Sequence, residues 1–415
     1  MSLSNMKKPI NPNMIKSFGL VLPLLFAGCS QIPTYEQPKI DMPQQWQQSL
    51  PKSVASAKMT EAQWWESLSG DPVLYQLIQQ GRKHNKDIQL AVIRLKQARS
   101  LLTQANAGSY PEINAAGEVS RYQTSDQSYP LNQGASYNHL SLGGLLSYEV
   151  DIWGRVDASQ KSALATLKAT EANRDAIDLS VSSAIAKAYL NLRALDHSVL
   201  LAENTVNSRK EALELRKTQL RLGSITPLSV QQAEAELASV EVSLYKLREQ
   251  RDLQRHALSV LLGESPAKIM QASQAPEGEK FEDHQVLSVP VGMPSDLLVR
   301  RPDIIAAEQQ LIASNADIGV ARASLFPSIS LTGFLGVQSE SLSNLFKDNA
   351  FAWNASASMT APIFDYGKRK AAVKISEAEK EAMLINYRDV VRKAFAETLD
   401  ALTQYHASQL QLSAQ

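Results

Sequence analysis

From Arg155 to Leu222 the chain contains neither glycine nor proline, while Ala, Leu, Glu, Lys and Arg abound. Such residues cost little in a helix and both common breakers are missing, so a single helix is predicted over 155–222. At 1.5 Å per residue it measures roughly 100 Å, far beyond what a compact domain needs. Gly223 breaks this rod, Thr226 stands at the N-cap of the next helix with Pro227 in its first turn, and a returning helix is predicted over 227–262. A second stretch without glycine or proline begins at Lys368 and runs to Gln415.

The rods belong to an internal duplication. Shifted by 216 positions, "IQLAVIRLKQARSLLTQANAGSYPEI" (88–113) lies on "IIAAEQQLIASNADIGVARASLFPSI" (304–329), with Tyr110-Pro111 on Phe326-Pro327. Shifted by 213, "DIWGRV" (151–156) lies on "FDYGKR" (364–369), with Gly154 on Gly367. Each copy reads as helix, proline, strand, loop, strand, glycine turn and long helix. Before Pro327 apolar residues recur every seven positions (Ile304, Leu311, Ile318, Leu325), and after it they alternate (Ile329, Leu331, Leu335, Val337).

The strand pairs fall at 112–150 and 328–363. Phe351, Trp353, Ala355, Ala357, Met359 and Ala361 share one face of the last strand, opposite Asn354, Ser356, Ser358 and Thr360. Leu140, Leu142, Leu146, Tyr148 and Val150 likewise oppose Ser141, Ser147 and Glu149. Strands of about 10 residues with one apolar and one polar face suit a transmembrane barrel, lipid outside and water inside. The polar stretches "TSDQSYPLNQGAS" and "SESLSNLFKDN" are expected as its outer loops. Four strands cannot close a barrel and an open edge cannot sit in lipid, so several copies must pool their strands. Two or three copies would satisfy that count.

The N-terminus carries an address. Lys7, Lys8 and Lys16 precede an apolar run from Phe18 to Ala27, followed by Gly28 and Cys29. The run is too short to span a bilayer as a helix and reads as a signal peptide over 1–28. Cys29 is the sole cysteine, which excludes an intrachain disulfide. "LFAGCS" resembles a bacterial lipoprotein signal, which implies a covalent lipid on Cys29 and, with Ser30 next, sorting to the outer membrane. With 42 basic and 42 acidic residues there is no electrostatic footprint for nucleic acid.

Taken together, "MPSDLLVRRPDIIAAEQQLIASNADIGVARASLFPSISLTG" (293–333), "YEVDIWGRV", "APIFDYGKR" and "WWESLSGDPVLYQLI" resemble the TolC-type outer-membrane efflux proteins, in the lipoprotein branch that serves tripartite drug pumps. The resemblance covers essentially residues 20–415. It implies a mainly α fold with a transmembrane β part. Long antiparallel helices would form a periplasmic α-barrel, and four strands per chain would enter a trimeric 12-stranded β-barrel. The implied function is a passive conduit for small molecules such as drugs, without catalytic residues, metal or cofactor beyond the lipid. Its implied partners are two sister chains, a periplasmic adaptor protein, an inner-membrane efflux pump and outer-membrane lipid. Arg221, Leu222, Gly223 and Ser224 would form the adaptor-contacting tip. Pro111, Pro327, Gly154 and Gly367 would mark the handovers between aqueous helix and lipid-facing strand.

The implied organisation is an N-terminal equatorial segment (29–70), a first repeat (71–263), a linker (264–294) and a second repeat (295–415). Trp46, Trp64 and Trp65 are expected to pack the belt around the tunnel. The counterpart of residues 203–263 would fall beyond Gln415, so the second repeat is expected to lack its returning helix through a gene-level truncation, with conduction impaired. A lipid-anchored periplasmic coiled coil without a pore is the rival reading; four alternating strands at matched positions argue against it. An enzyme is not expected: the six histidines are scattered, and no His-Glu-x-x-His pair, phosphate-cradling loop or nucleophile elbow occurs.

Overall fold

The computed structural model describes residues 30–43, 71–125, 127, 134, 136–272 and 296–414. The signal peptide, Cys29, the three N-terminal tryptophans, most of the first loop and most of the linker lie outside the described residues. In chain order the elements are α1 (Pro72–His84), α2 (Lys86–Ala107), β1 (Glu112–Gln123), β2 (Ser136–Val150), α3 (Arg155–Arg221) and α4 (Pro227–Leu261). Then follow α5 (Pro266–Ala272), α6 (Leu297–Arg300), α7 (Pro302–Ala323), β3 (Ser328–Ser339), β4 (Phe351–Thr360) and α8 (Lys368–Ala414). By contact the described residues divide into two units, one falling within 1–41, 96–169 and 304–396, the other within 42–95, 170–303 and 397–415.

The first unit holds an antiparallel sheet in the order β1-β2-β3-β4. Below it α7 is buried nearly all round, through Ile304, Ala307, Leu311, Asn315, Ile318 and Gly319. An N-terminal strap runs along this helix. A Cβ on Gly319 would fall 2.5 Å from Ile32 Cγ1 and 3.2 Å from Ala158 Cβ, so only glycine admits both neighbours. Asn315 donates to the Pro33 carbonyl at 2.7 Å, and the Tyr35 hydroxyl donates to Glu308 at 3.2 Å.

In the second unit α1, α2, α3 and α4 close a core of Leu74, Ile78, Ile88, Ile185, Tyr189, Leu258 and Leu262. A Cβ on Gly81 would lie 2.1 Å from Ile185 Cδ1, which sets how closely α1 approaches α3. Asp71 caps α1 by accepting from the Val73 N–H at 2.8 Å and also accepts the Tyr189 hydroxyl at 2.6 Å. Burial, together with that bond, pushes the Tyr189 phenol up to about 12.

Several sequence expectations change here. The single opening helix is split at Asn85, whose buried side chain accepts from the N–H groups of Asp87 and Ile88 and donates to the Leu261 carbonyl at 2.9 Å. One amide thus caps α2 and ties it to α4. Thr226 occupies the N-cap of α4, yet its hydroxyl makes no capping bond and lies 3.5 Å from Ser229 Oγ. The strand expected to run to 363 stops at Thr360, because Pro362 has no N–H and β4 has a partner on one side only. The second loop holds two 3₁₀ turns, Leu342–Asn344 and Asp348–Ala350, with Leu345 and Ala350 buried.

Charged side chains of the first hairpin pair across it. Between α3 and α4, Arg209 pairs with Glu236, Lys210 with Glu241 and Arg248 with Glu203. Arg255 meets Asp196 at 3.2 Å with both side chains largely buried. Val199, Val206 and Leu244 fill the seam between these bonds. The hairpin is held by a narrow apolar strip flanked by ion pairs, as expected of two helices with water on both sides.

Candidate functional site

The sheet register decides what each face can touch. Directly paired residues share a face, so the pairs Ile113↔Leu146, Leu146↔Gly333 and Gly333↔Ala355 run one surface across all four strands. That surface carries Ile113, Val119, Leu142, Leu331, Leu335, Val337, Phe351, Trp353 and Met359, all apolar and most of them exposed. The opposite face carries Glu112, Asn114, Glu118, Ser141, Ser147, Ser330, Thr332, Asn354, Ser356 and Ser358. Its polar groups bond to one another: Ser120 and Tyr122 donate to Glu118, and Thr332 meets Ser356 at 2.7 Å.

Two large apolar residues interrupt the polar face, Leu145 and its partner Phe334. Next to them Gly143 faces Gly336, and a Cβ on Gly336 would fall 2.3 Å from the Leu142 carbonyl and 2.9 Å from Phe334 Cζ. The Phe334 ring therefore covers a spot where β2 and β3 approach with no side chain between them. The alternation seen in sequence gave no sign of this.

The four handover residues stand at the sheet's inner end. Pro111 and Pro327 directly precede β1 and β3. Before each, the helix closes with the same backbone bond, Tyr110 N–H to Ala107 and Phe326 N–H to Ala323. Gly154 and Gly367 hold φ of 72° and 83°, a conformation that favours glycine, and their carbonyls accept the N–H groups of Ala158 and Ala371 at 2.9 Å as α3 and α8 begin. Arg155 grips Glu149 through two bonds of 2.8 Å, fixing the angle at which α3 leaves β2.

Sequence reasoning passed over the aromatic residues beside these handovers. Trp153 stacks on Phe326 at 4.6 Å and its ring N–H donates to the Pro327 carbonyl at 2.7 Å. Tyr110, Ile363, Phe364 and Tyr366 are exposed around the same level. Amphipathic rings at the rim of an apolar band match the aromatic girdle of a membrane interface. The recurrence of an aromatic residue just before each duplicated glycine was the available signal.

At the C-terminal end of α3, Arg221, Leu222, Gly223 and Ser224 come together in one turn. Gly223 at φ 73° donates to Leu220, and Ser224 donates to Gln219 from both its N–H and its hydroxyl. This is a Schellman closure that satisfies the last carbonyls of α3. Leu222 and Leu228 stand exposed beside it, and Arg221 reaches back to the Thr218 hydroxyl at 3.0 Å.

Among the described residues no helix is long and apolar enough to cross a membrane. A sheet with one apolar, lipid-compatible face and one polar face, in a chain that also builds helices as long as α3 and α8, defines a channel-forming protein of the outer membrane. The family model described as outer membrane efflux protein matches residues 77–264 and 293–415, and the chain belongs to that family. It is 30% identical over 392 residues to the cation efflux system protein CusC of Escherichia coli O6:H1, covering 94% of this chain and 83% of that one. It is 32% identical over 401 residues to the probable efflux pump outer membrane protein TtgC of Pseudomonas putida, covering 95% and 81%. Its fold matches the outer-membrane channel OprN with a TM-score of 0.83 at 28% identity, over 93% of this chain and 85% of that one. The open-state MtrE channel of Neisseria gonorrhoeae matches with a TM-score of 0.80 at 30% identity, over 93% and 84%.

The chain is thus an outer-membrane efflux channel component with a periplasmic helical extension, and not an enzyme. Members of the family form trimeric channels that work with adaptor and inner-membrane pump partners.

Proposed function

We propose that three copies of this chain close one twelve-stranded barrel in the outer membrane and continue it as a helical tunnel, a passive conduit from periplasm to exterior. The observation that carries the reading is the registered sheet: among the described residues it has four strands, one apolar face, one polar face and unpaired outer edges on β1 and β4. Closure takes at least about eight strands, and bare edges in hydrocarbon cost several kcal/mol per unsatisfied group, so copies must share.

The tip turn Arg221–Ser224 is the surface we assign to a periplasmic adaptor, with exposed Leu222 and Leu228 as its apolar anchors. Pro111, Pro327, Gly154 and Gly367 are assigned to the crossing between water and lipid. Among the described residues the inner face is polar and offers no convergent set of groups for one cargo. Relatives named for cations and for toluene fit such a wall, since selection can rest with the pump that feeds it.

We also propose a thioether-linked lipid on Cys29 as a second anchor. Supporting it are the lysines ahead of the apolar run and the string "LFAGCS" with Ser30 next.

The test is the full chain expressed in outer membranes lacking other efflux channels. Expected are detergent-dependent extraction, an oligomer of three chains that collapses to one band on boiling, and ohmic conductance in planar bilayers. A detergent-independent monomer without conductance would refute the reading and favour the coiled-coil alternative.

A further inference from the structure

We infer that the seam between neighbouring copies is a repeat of the seam inside each chain, with a fixed register and an aromatic clamp of Tyr366 on the neighbour's Tyr110-Pro111. This rests on the shared-barrel reading above and goes beyond it by naming the paired residues.

The duplication supplies the argument, and the sheet contains an internal check on it. Moving β1 onto β3 by 216 positions and β2 onto β4 by 213 carries the pair Glu112↔Ser147 onto Ser328↔Thr360. That pair is observed, so the two hairpins obey the sequence offsets without a slip. The remaining internal seam joins the second strand of one repeat to the first strand of the next, β2 to β3. Its equivalent joins β4, the second strand of the second repeat, to a first strand, and in its own chain β1 lies at the far edge of the sheet. The β1 strand of another copy is the one element of matching sequence and free edge.

Applying the same offsets converts each observed β2·β3 pair into a pair between copies. Gly143↔Gly336 becomes Ser356 with Ser120 of the next copy. Gly144↔Leu335 becomes Ala357 with Val119, and Leu145↔Phe334 becomes Ser358 with Glu118. The faces agree: Ser356 and Ser120 both lie on the polar surface, Ala357 and Val119 both on the apolar one. A slip of one residue would turn the neighbour's apolar face into the pore, so only slips of two compete. The ladder ends at Ala361, since Pro362 has no N–H to give.

The clamp follows from the same mapping. Trp153 stacks on Phe326 and donates to Pro327 across the internal seam. The counterpart of Trp153 is Tyr366, and those of Phe326 and Pro327 are Tyr110 and Pro111. Tyr366 is 93% exposed, Ile363 98% and Tyr110 71%, whereas at the internal seam the counterparts Trp153 and Val150 are half-buried and Phe326 is 37% exposed. Tyr366 also holds φ at 53°, strained for a residue other than glycine, which a ring locked against a neighbour would repay.

The experiment is oxidative cross-linking of the full chain in native outer membranes, scored on denaturing gels. The pair Ser120→Cys with Ser356→Cys is expected to convert most of the protein to covalent dimers and trimers, and either single variant is not. Pairing Ser356→Cys with Glu118→Cys or Tyr122→Cys reports the two-residue slips, and should give several-fold less. A trimer that cross-links best through 118 or 122 overturns the register and leaves the channel reading intact. A monomer that cross-links through none overturns both. For the clamp, Tyr366→Gly relieves the local backbone strain, so it should stabilise an isolated chain. The clamp predicts the opposite at the trimer, a drop of several degrees in the temperature at which it dissociates. A trimer dissociating at or above the parental temperature overturns the clamp.

Discussion

Two glycines with the same backbone conformation separate conformational cost from packing cost. Gly223 and Gly263 hold φ of 73° and 69°, and both close a helix through a Schellman pair of bonds. Nothing lies within 4 Å of a Cβ on Gly223, whereas one on Gly263 would fall 2.2 Å from the His84 carbonyl oxygen. Gly223→Ala should cost about 1 kcal/mol, from φ alone. Gly263→Ala should cost about 1–3 kcal/mol more, because backbone must shift. Thermal melts followed by circular dichroism would rank them. Tyr189 gives a pH-dependent counterpart. Its folded pKa is raised to about 12, so the stability it contributes is fully present below the unfolded value near 10 and is lost as pH rises through about 12. Tyr189→Phe should therefore lie about 1 kcal/mol below the parent at neutral pH and converge with it across that window. Melts in a pH series check the sign.

At the scale of elements, the two sheet faces call for opposite tolerances. Leu335 sits mid-strand on the apolar face opposite Trp353, and Ser356 on the polar face opposite Thr332. Leu335→Arg should destabilise the membrane part by about 2–4 kcal/mol, the cost of a cation at the bilayer midplane. Ser356→Arg should fold normally and shift single-channel conductance instead. Urea titration of the reconstituted protein and bilayer recording separate the two outcomes. Much of this element structure was legible in the sequence. A 3.6-residue period and an absence of breakers are local properties, so the rods were readable, as was the period-two alternation of the strands. Asn85 was not, because its local capping bonds are ones many asparagines could make, and what buries this amide is a carbonyl 176 residues away, at Leu261. The capping role expected of Thr226 failed for a similar reason: the residue type permits a bond that the local geometry does not make.

At the scale of the whole molecule, the tip and the sheet are expected to fail independently. Leu222→Asp places a charge on the exposed turn without touching a packed contact. It should leave conductance and trimer migration unchanged while weakening cross-linking to an adaptor and lowering drug tolerance of the host. A loss of trimer would show instead that the tip holds the assembly together. The duplication is the reason to expect such separation: each repeat builds its own handovers.

The sequence by itself determined the rods, the paired handovers at Pro111, Pro327, Gly154 and Gly367, the alternation that divides lipid from water, and the family. All of these are written in neighbouring residues or in a repeated string. Only the tertiary structure decided which side chains meet across the sheet and the hairpin: Trp153 on Phe326 and Pro327, Phe334 over two facing glycines, Arg255 against Asp196. Those pairings depend on register and on the approach of segments far apart in the chain. One residue of slip would exchange the sheet contacts without changing any local preference, and packing alone forbids it.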